Sequence, residues 1–195
     1  LSLEPEPVRR AGDSDKGRAA EPSQSTEETQ QRARSVTEAW AAFSAASAKG
    51  AATPEANALF ENVVESYNKL VTTEDSLDNR VRQSISVEAA QRAAQCLQTA
   101  AKETHNDSLQ TWHHAAPLLK CVHKTLHKGD RCTRDLVIAV FGTGLCSQIL
   151  DALYALFEGS VPPCQETDQD NKNAVDSALD SLDVVDDIVS SNEYL

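Results

Sequence analysis

From Leu136 to Phe157 the chain runs for 22 residues with Asp151 as its only formal charge. A stretch this apolar must be covered, by other helices or by a bilayer, and its length comes near that of a membrane helix. Arg131 and Arg134 even supply a basic flank. Against insertion, Gln148 and Asp151 fall together in its later half, and the surrounding segments are amphipathic and need an apolar partner of their own. The expected placement is therefore a central helix surrounded by the others, with membrane spanning disfavoured. Within it, Phe141-Gly142-Thr143-Gly144 reads as a close-packing notch; no strand precedes it and no lysine follows, as a phosphate loop would require.

The neighbouring segments carry the three-and-four spacing of helices. Ser25-Thr26-Glu27-Glu28 has the form of a capping box and opens a helix with Ala33, Val36, Trp40, Phe43 and Ser47 on one face, stopped by Gly50. Thr53-Pro54-Glu55 is a second start, followed by the stripe Leu59, Val63, Tyr67 and Leu70. A third helix is expected from near Ser76 to Lys102, with Leu77, Val81, Ile85, Ala89, Ala93, Cys96 and Ala100 aligned and a break allowed around Ser84 to Val87. Asn106-Asp107-Ser108 opens a fourth, which Pro117 either kinks or restarts and Gly129 ends. After Val161-Pro162-Pro163-Cys164, a last helix sets Val175, Leu179, Leu182, Val185 and Val189 in one stripe and Asp176, Asp180, Asp183, Asp186 and Asp187 on a solvated side.

No alternating strand pattern runs beyond a few residues, so the fold class is all-α, a helical bundle of about five to six helices. Residues 1–24 read as a disordered arm, 25–160 as the bundle domain, 161–173 as a linker and 174–195 as an acidic amphipathic helix. The net charge of -12 and a pI near 4.8 oppose attraction to nucleic acid or anionic membranes, so no nucleic-acid partner is expected. The chain starts at Leu1 and contains no methionine, which we read as a mature product or a fragment. Asn106 heads a glycosylation sequon, in keeping with a secreted chain.

All five cysteines lie from Cys96 onward. Cys96 and Cys121 sit on helices expected to be antiparallel neighbours, and Cys132 and Cys164 near helix ends. These four are the disulfide candidates, with Cys146 as a buried thiol, although connectivity stays open. The odd thiol offers a link to another chain; the competing reading is five buried thiols in an intracellular bundle. Four of the five histidines fall between His113 and His127. His123 and His127, four apart, share a helix face, and Cys121 or Cys132 could complete a zinc set. The spacing matches no standard finger, and Lys120, Lys124, Lys128 and Arg131 oppose a cation, so neither a metal nor a cofactor is expected and the segment reads as a solvated basic face.

No Gly-x-Ser-x-Gly elbow, His-Glu-x-x-His or comparable catalytic signature occurs, and no enzymatic activity is expected. The leading reading is a noncatalytic protein-interaction or structural subunit, secreted or lumenal, that binds other protein chains in a homo- or hetero-oligomer through the bundle surface and the tail-helix residues Val175, Leu179, Leu182, Val185 and Val189. Two alternatives stand beside it. One is a carrier holding a small apolar ligand near Ala139, Gly142 and Gly144, the other an intracellular, cytoplasmic helical scaffold.

Overall fold

The computed structural model describes residues 24–48, 53–70, 77–100, 102, 105–127, 133–158 and 169–190, with the side chains of 24–26, 105–107 and 169–174 outside the description. These residues form seven helices and no strand: α1 (Gln24–Ser47), α2 (Pro54–Lys69), α3 (Asn79–Ala100), α4 (His105–Leu126), α5 (Arg134–Gly142), α6 (Leu145–Glu158) and α7 (Gln169–Ser190). The all-α bundle read from the sequence is the fold. Local chemistry sets several starts. Thr53 accepts the Ala56 amide and Pro54 follows at the first helical position, Asp78 accepts the amides of Arg80 and Val81, and Thr133 accepts that of Leu136.

Other boundaries differ from expectation. α1 already includes Gln24, so Ser25 lies inside the helix and does not cap it. α7 begins at Gln169 and takes in part of the expected 161–173 linker, because Gln169 to Asn173 contains no proline or glycine to stop a helix. α3 is unbroken through Ser84 to Val87, and α4 continues through Pro117, whose ring lies on an exposed face. Gly50, Ser76, Gly129 and the Val161 to Cys164 segment lie outside the described residues.

The helix at the centre is α4, which packs against α2, α3, α6 and α7. Its inner arc comprises Leu109, Trp112, Ala115, Leu119, Val122 and Leu126. α3, with which α4 has its broadest contact, buries Ala89, Ala90, Ala93, Ala94 and Ala100, and side chains this short let neighbouring helices approach closely. α1 packs mainly on α2, while α5 and α6 lie on α3.

The most apolar segment is thus not the surrounded centre. It divides into α5 and α6, bent by 47° at the break. Gly144 sits at φ +75 in the turn, a conformation that favours glycine, and a Cβ added at Gly142 or Gly144 would meet nothing within 4 Å. The glycines therefore make a corner and not a packing notch. Two short helices joined at a corner each bury one face, which leaves Ile138, Phe141, Leu150, Tyr154 and Phe157 exposed. Among the described residues no single helix is long and apolar enough to cross a membrane; α5 and α6 reach that composition only as the bent pair.

Polar anchors fix the helices laterally. Arg92 on α3 bonds Glu88 at 2.7 Å and Asn57 on α2 at 2.9 Å, and its guanidinium lies 4.5 Å from the centre of the Phe60 ring, which itself packs on Phe43 of α1. The buried Tyr67 hydroxyl meets Thr125 Oγ1 at 2.8 Å. Thr125 spends its own proton on the Cys121 carbonyl, so Tyr67 is the donor in that pair. Lys124 donates to the Tyr67 and Leu70 carbonyls at the end of α2, a cation placed where the helix dipole is negative.

Trp112, fully buried on α4, is the largest side chain in this interior, and its indole N–H meets no acceptor among the described residues. Trp112→Ala is expected to cost about 3–5 kcal/mol in urea denaturation. Trp112→Phe should cost clearly less, since it also removes the unsatisfied donor. Equal losses in the two variants would contradict this account of the core.

Candidate functional site

The large apolar side chains left exposed among the described residues are Ile138 and Phe141 on α5, Leu150, Tyr154 and Phe157 on α6, and Leu179, Leu182 and Val189 on α7. The amino-terminal helices α1 to α4 contribute none of them. Leu150, Tyr154 and Phe157 are spaced i, i+4, i+7 and form one stripe along α6.

On α7 the stripe read for partner binding is partly left open by the bundle. The buried residues are Ala178, Ser181, Val184 and Ile188, with Val175 and Val185 only partly covered. This buried set mixes the small Ala178 and Ser181 with Val184 and Ile188, and the Ser181 hydroxyl is satisfied by the Ala178 carbonyl of its own helix. Leu179, Leu182 and Val189 are 45%, 43% and 59% exposed. Asp176, Asp180 and Asp183 are exposed beside them, so this side of α7 is an apolar strip with an acidic border.

A second constellation lies in the α4–α7 seam. His123 and His127 project from one face of α4, as their spacing requires, with ring centres 4.9 Å apart. Both address Asp187 on α7: His123 Nδ1 is 2.7 Å from Oδ2 and His127 Nδ1 is 3.4 Å from Oδ1. Asp187 is 15% exposed, His123 36% and His127 70%, so the carboxylate is held inside and the seam opens to solvent at His127. Their ligating atoms lie within 4.8 Å of one another. An adjoining cleft of about 560 Å³ between α4 and α7 is lined by His123, Lys120, Asn68, Asp180 and Asp183, among others.

Cys121, which the sequence offers beside Cys132 to complete a zinc set with His123 and His127, does not join them. Cys121 is buried on another face of α4, where its thiol donates to Asn68 Oδ1 on α2 at 3.3 Å, and Cys132 lies outside the described residues. Lys124, counted from the sequence as a charge opposing a cation, is directed instead at the end of α2. The partner that sequence reading missed is Asp187, which it had assigned to a solvated acidic side. No local signal could have found it, for it stands 64 residues from His123.

Cys96, Cys121 and Cys146 are thiols. The Cys96 sulfur contacts the Thr111 carbonyl on α4 at 3.7 Å, and ten residues of helix, roughly 15 Å, separate that point from Cys121. The expected antiparallel pairing of α3 and α4 therefore does not bring Cys96 and Cys121 together. Cys164 lies outside the described residues, as does the side chain of Asn106, whose backbone is in the first turn of α4. Ala139 lines a shallow cleft with Trp40, Arg80, Glu88 and Asp135, whose charges suit an apolar ligand poorly; Gly142 and Gly144 form the corner described above. Compared with family models, curated proteins and solved structures, the chain matches none.

Burial pushes the Cys121 thiol from its ordinary 9.0 up to about 12, with Lys124 and the Asn68 bond pulling weakly the other way. A thiol this hard to ionise is neither a nucleophile nor a ready metal ligand. Because the folded value exceeds the unfolded one, the associated stability is whole below pH about 9 and is lost as pH rises toward about 12. Cys121→Ala should flatten the alkaline loss of stability by up to about 1.4 kcal/mol per pH unit over that range, measured by urea denaturation at a series of pH values. Identical slopes in the two proteins would contradict it.

Proposed function

We propose that this chain is a noncatalytic protein-interaction subunit whose α7 surface docks a basic amphipathic helix of another protein. The observation that carries the reading is the strip Leu179, Leu182 and Val189, exposed beside Asp176, Asp180 and Asp183. Apolar anchors on a helix side take up the apolar face of a second helix, and an acidic border selects lysine and arginine at its flanks. The overall charge of -12 favours the same class of partner over an acidic one and opposes an anionic lipid surface. The α6 stripe of Leu150, Tyr154 and Phe157 extends the apolar exterior of this half of the chain, in keeping with an oligomer in which more than one surface is covered. Export belongs to the same reading; its support is the sequon at Asn106.

The test is a titration of a fluorescent Leu/Lys amphipathic helical peptide into the full chain, followed by anisotropy. Saturable one-to-one binding that weakens with salt is expected, with affinity falling at least about tenfold, near 1.4 kcal/mol, in a Leu179→Ser/Leu182→Ser variant. A Leu150→Ser/Tyr154→Ser variant should bind as the parent does. Equal binding by the α7 variant and the parent, or self-association of the chain competing with the peptide at the same residues, would overturn the choice of partner.

A further inference from the structure

We infer that His123, His127 and Asp187 form a site for a divalent transition-metal ion, zinc in the first place, that joins α7 to α4. The inference is independent of the docking function, since these side chains lie in the α4–α7 seam and not on the outer strip of α7. Two imidazoles and one carboxylate converge from two helices, with one ligating atom from each inside a 4.8 Å circle. The residues are suited to the role by chemistry and by position. Imidazole nitrogen with carboxylate oxygen is a borderline donor set that zinc accepts, whereas magnesium and calcium prefer oxygen alone.

Tetrahedral bonds of about 2.0–2.1 Å place donor atoms about 3.3 Å apart. His127 Nδ1 and Asp187 Oδ1 already stand at 3.4 Å. His123 Nδ1 now stands 2.7 Å from the other oxygen, Oδ2, so with Oδ1 as the single carboxylate donor this half-exposed ring must turn toward the ion to complete the set. In the metal-free chain the Nδ1–H of each ring faces the Asp187 carboxylate; to bind the ion each neutral imidazole takes the Nε2–H tautomer, its single proton passing from Nδ1 to Nε2 through solvent, so that the Nδ1 lone pair meets the metal. Three protein ligands leave the fourth position to solvent, which reaches the site through the exposed His127.

Among the described residues, the carboxylates beside the site outnumber the free-standing cations. Asp180 and Asp183 line the cleft that His123 also lines, and Lys120 is the cation in the same lining. Lys124 is engaged by the carbonyls of Tyr67 and Leu70 on α2. An ion bound here would cross-link the last helix to the central one and order the outer strip of α7 indirectly.

Titration of the full chain with zinc, followed by calorimetry, and with cobalt, followed by absorption, tests the inference. One zinc per chain is expected, with no comparable binding of magnesium. The cobalt adduct should show ligand-field bands without thiolate charge transfer. His127→Ala alters a side chain that is 70% exposed and should leave the fold intact by circular dichroism. It should weaken zinc binding by at least about 100-fold, beyond the roughly 10–100-fold that loss of an outer-shell partner costs. Asp187→Asn should do likewise. On metal binding, backbone amides of α7 should exchange more slowly with deuterium. The absence of saturable binding, thiolate bands in the cobalt spectrum, or unchanged affinity in His127→Ala would each overturn the assignment; the last two place the ion on cysteines or on the separate His113–His114 pair.

Discussion

The close seating of α4 on the alanine face of α3 is the contact from which the other placements follow. α3 buries Ala89, Ala90, Ala93 and Ala94 and has its broadest contact with α4, on which Trp112 and Ala115 are completely buried, while α2 and α7 also pack on α4. The α2 side is fixed by chemistry as well as packing: the Tyr67 to Thr125 hydrogen bond and the Lys124 cap tie the end of α2 to one turn of α4. The α7 side buries Ala178 and Ser181 together with Val184 and Ile188.

Once α4 takes the centre, the most hydrophobic segment cannot also be there. It is left on the outside of α3 as two helices meeting at Gly144, each with one covered and one open face. The exposed apolar side chains of α5, α6 and α7 follow from this arrangement. So does the geometry of the seam, where the helix that supplies Asp187 is held against the helix that supplies both imidazoles by Val184 and Ile188.

Much of this was legible locally. Thr53 with Pro54 marks a helix start by the satisfaction of free amides, and the stripes of α1, α2 and α3 predict the buried Val36, Phe43, Val63, Tyr67, Ile85 and Ala89. The corner at Gly144 was not, because a glycine in a helix-like stretch reads equally as a close contact or a turn, and only the backbone angle decides. The inward face of α7 was not legible either: the more hydrophobic Leu179 and Leu182, read for partner binding, draw the eye, while the buried positions include the small Ala178 and Ser181. His123 and His127 announce themselves by spacing, but their carboxylate partner arrives from a distant helix whose charge pattern reads as a solvated surface.

The orientation of α7 on α4 is the claim that both the outer strip and the histidine seam require, and a pair of single substitutions tests it directly by urea denaturation. Val184→Asp places an unpaired charge in the contact with α4 and should cost at least about 3 kcal/mol, while Leu182→Asp, on the open side, should change stability by no more than about 0.5 kcal/mol. The opposite order, with Leu182→Asp the damaging substitution and Val184→Asp tolerated, would mean that α7 faces the bundle the other way and would contradict the account.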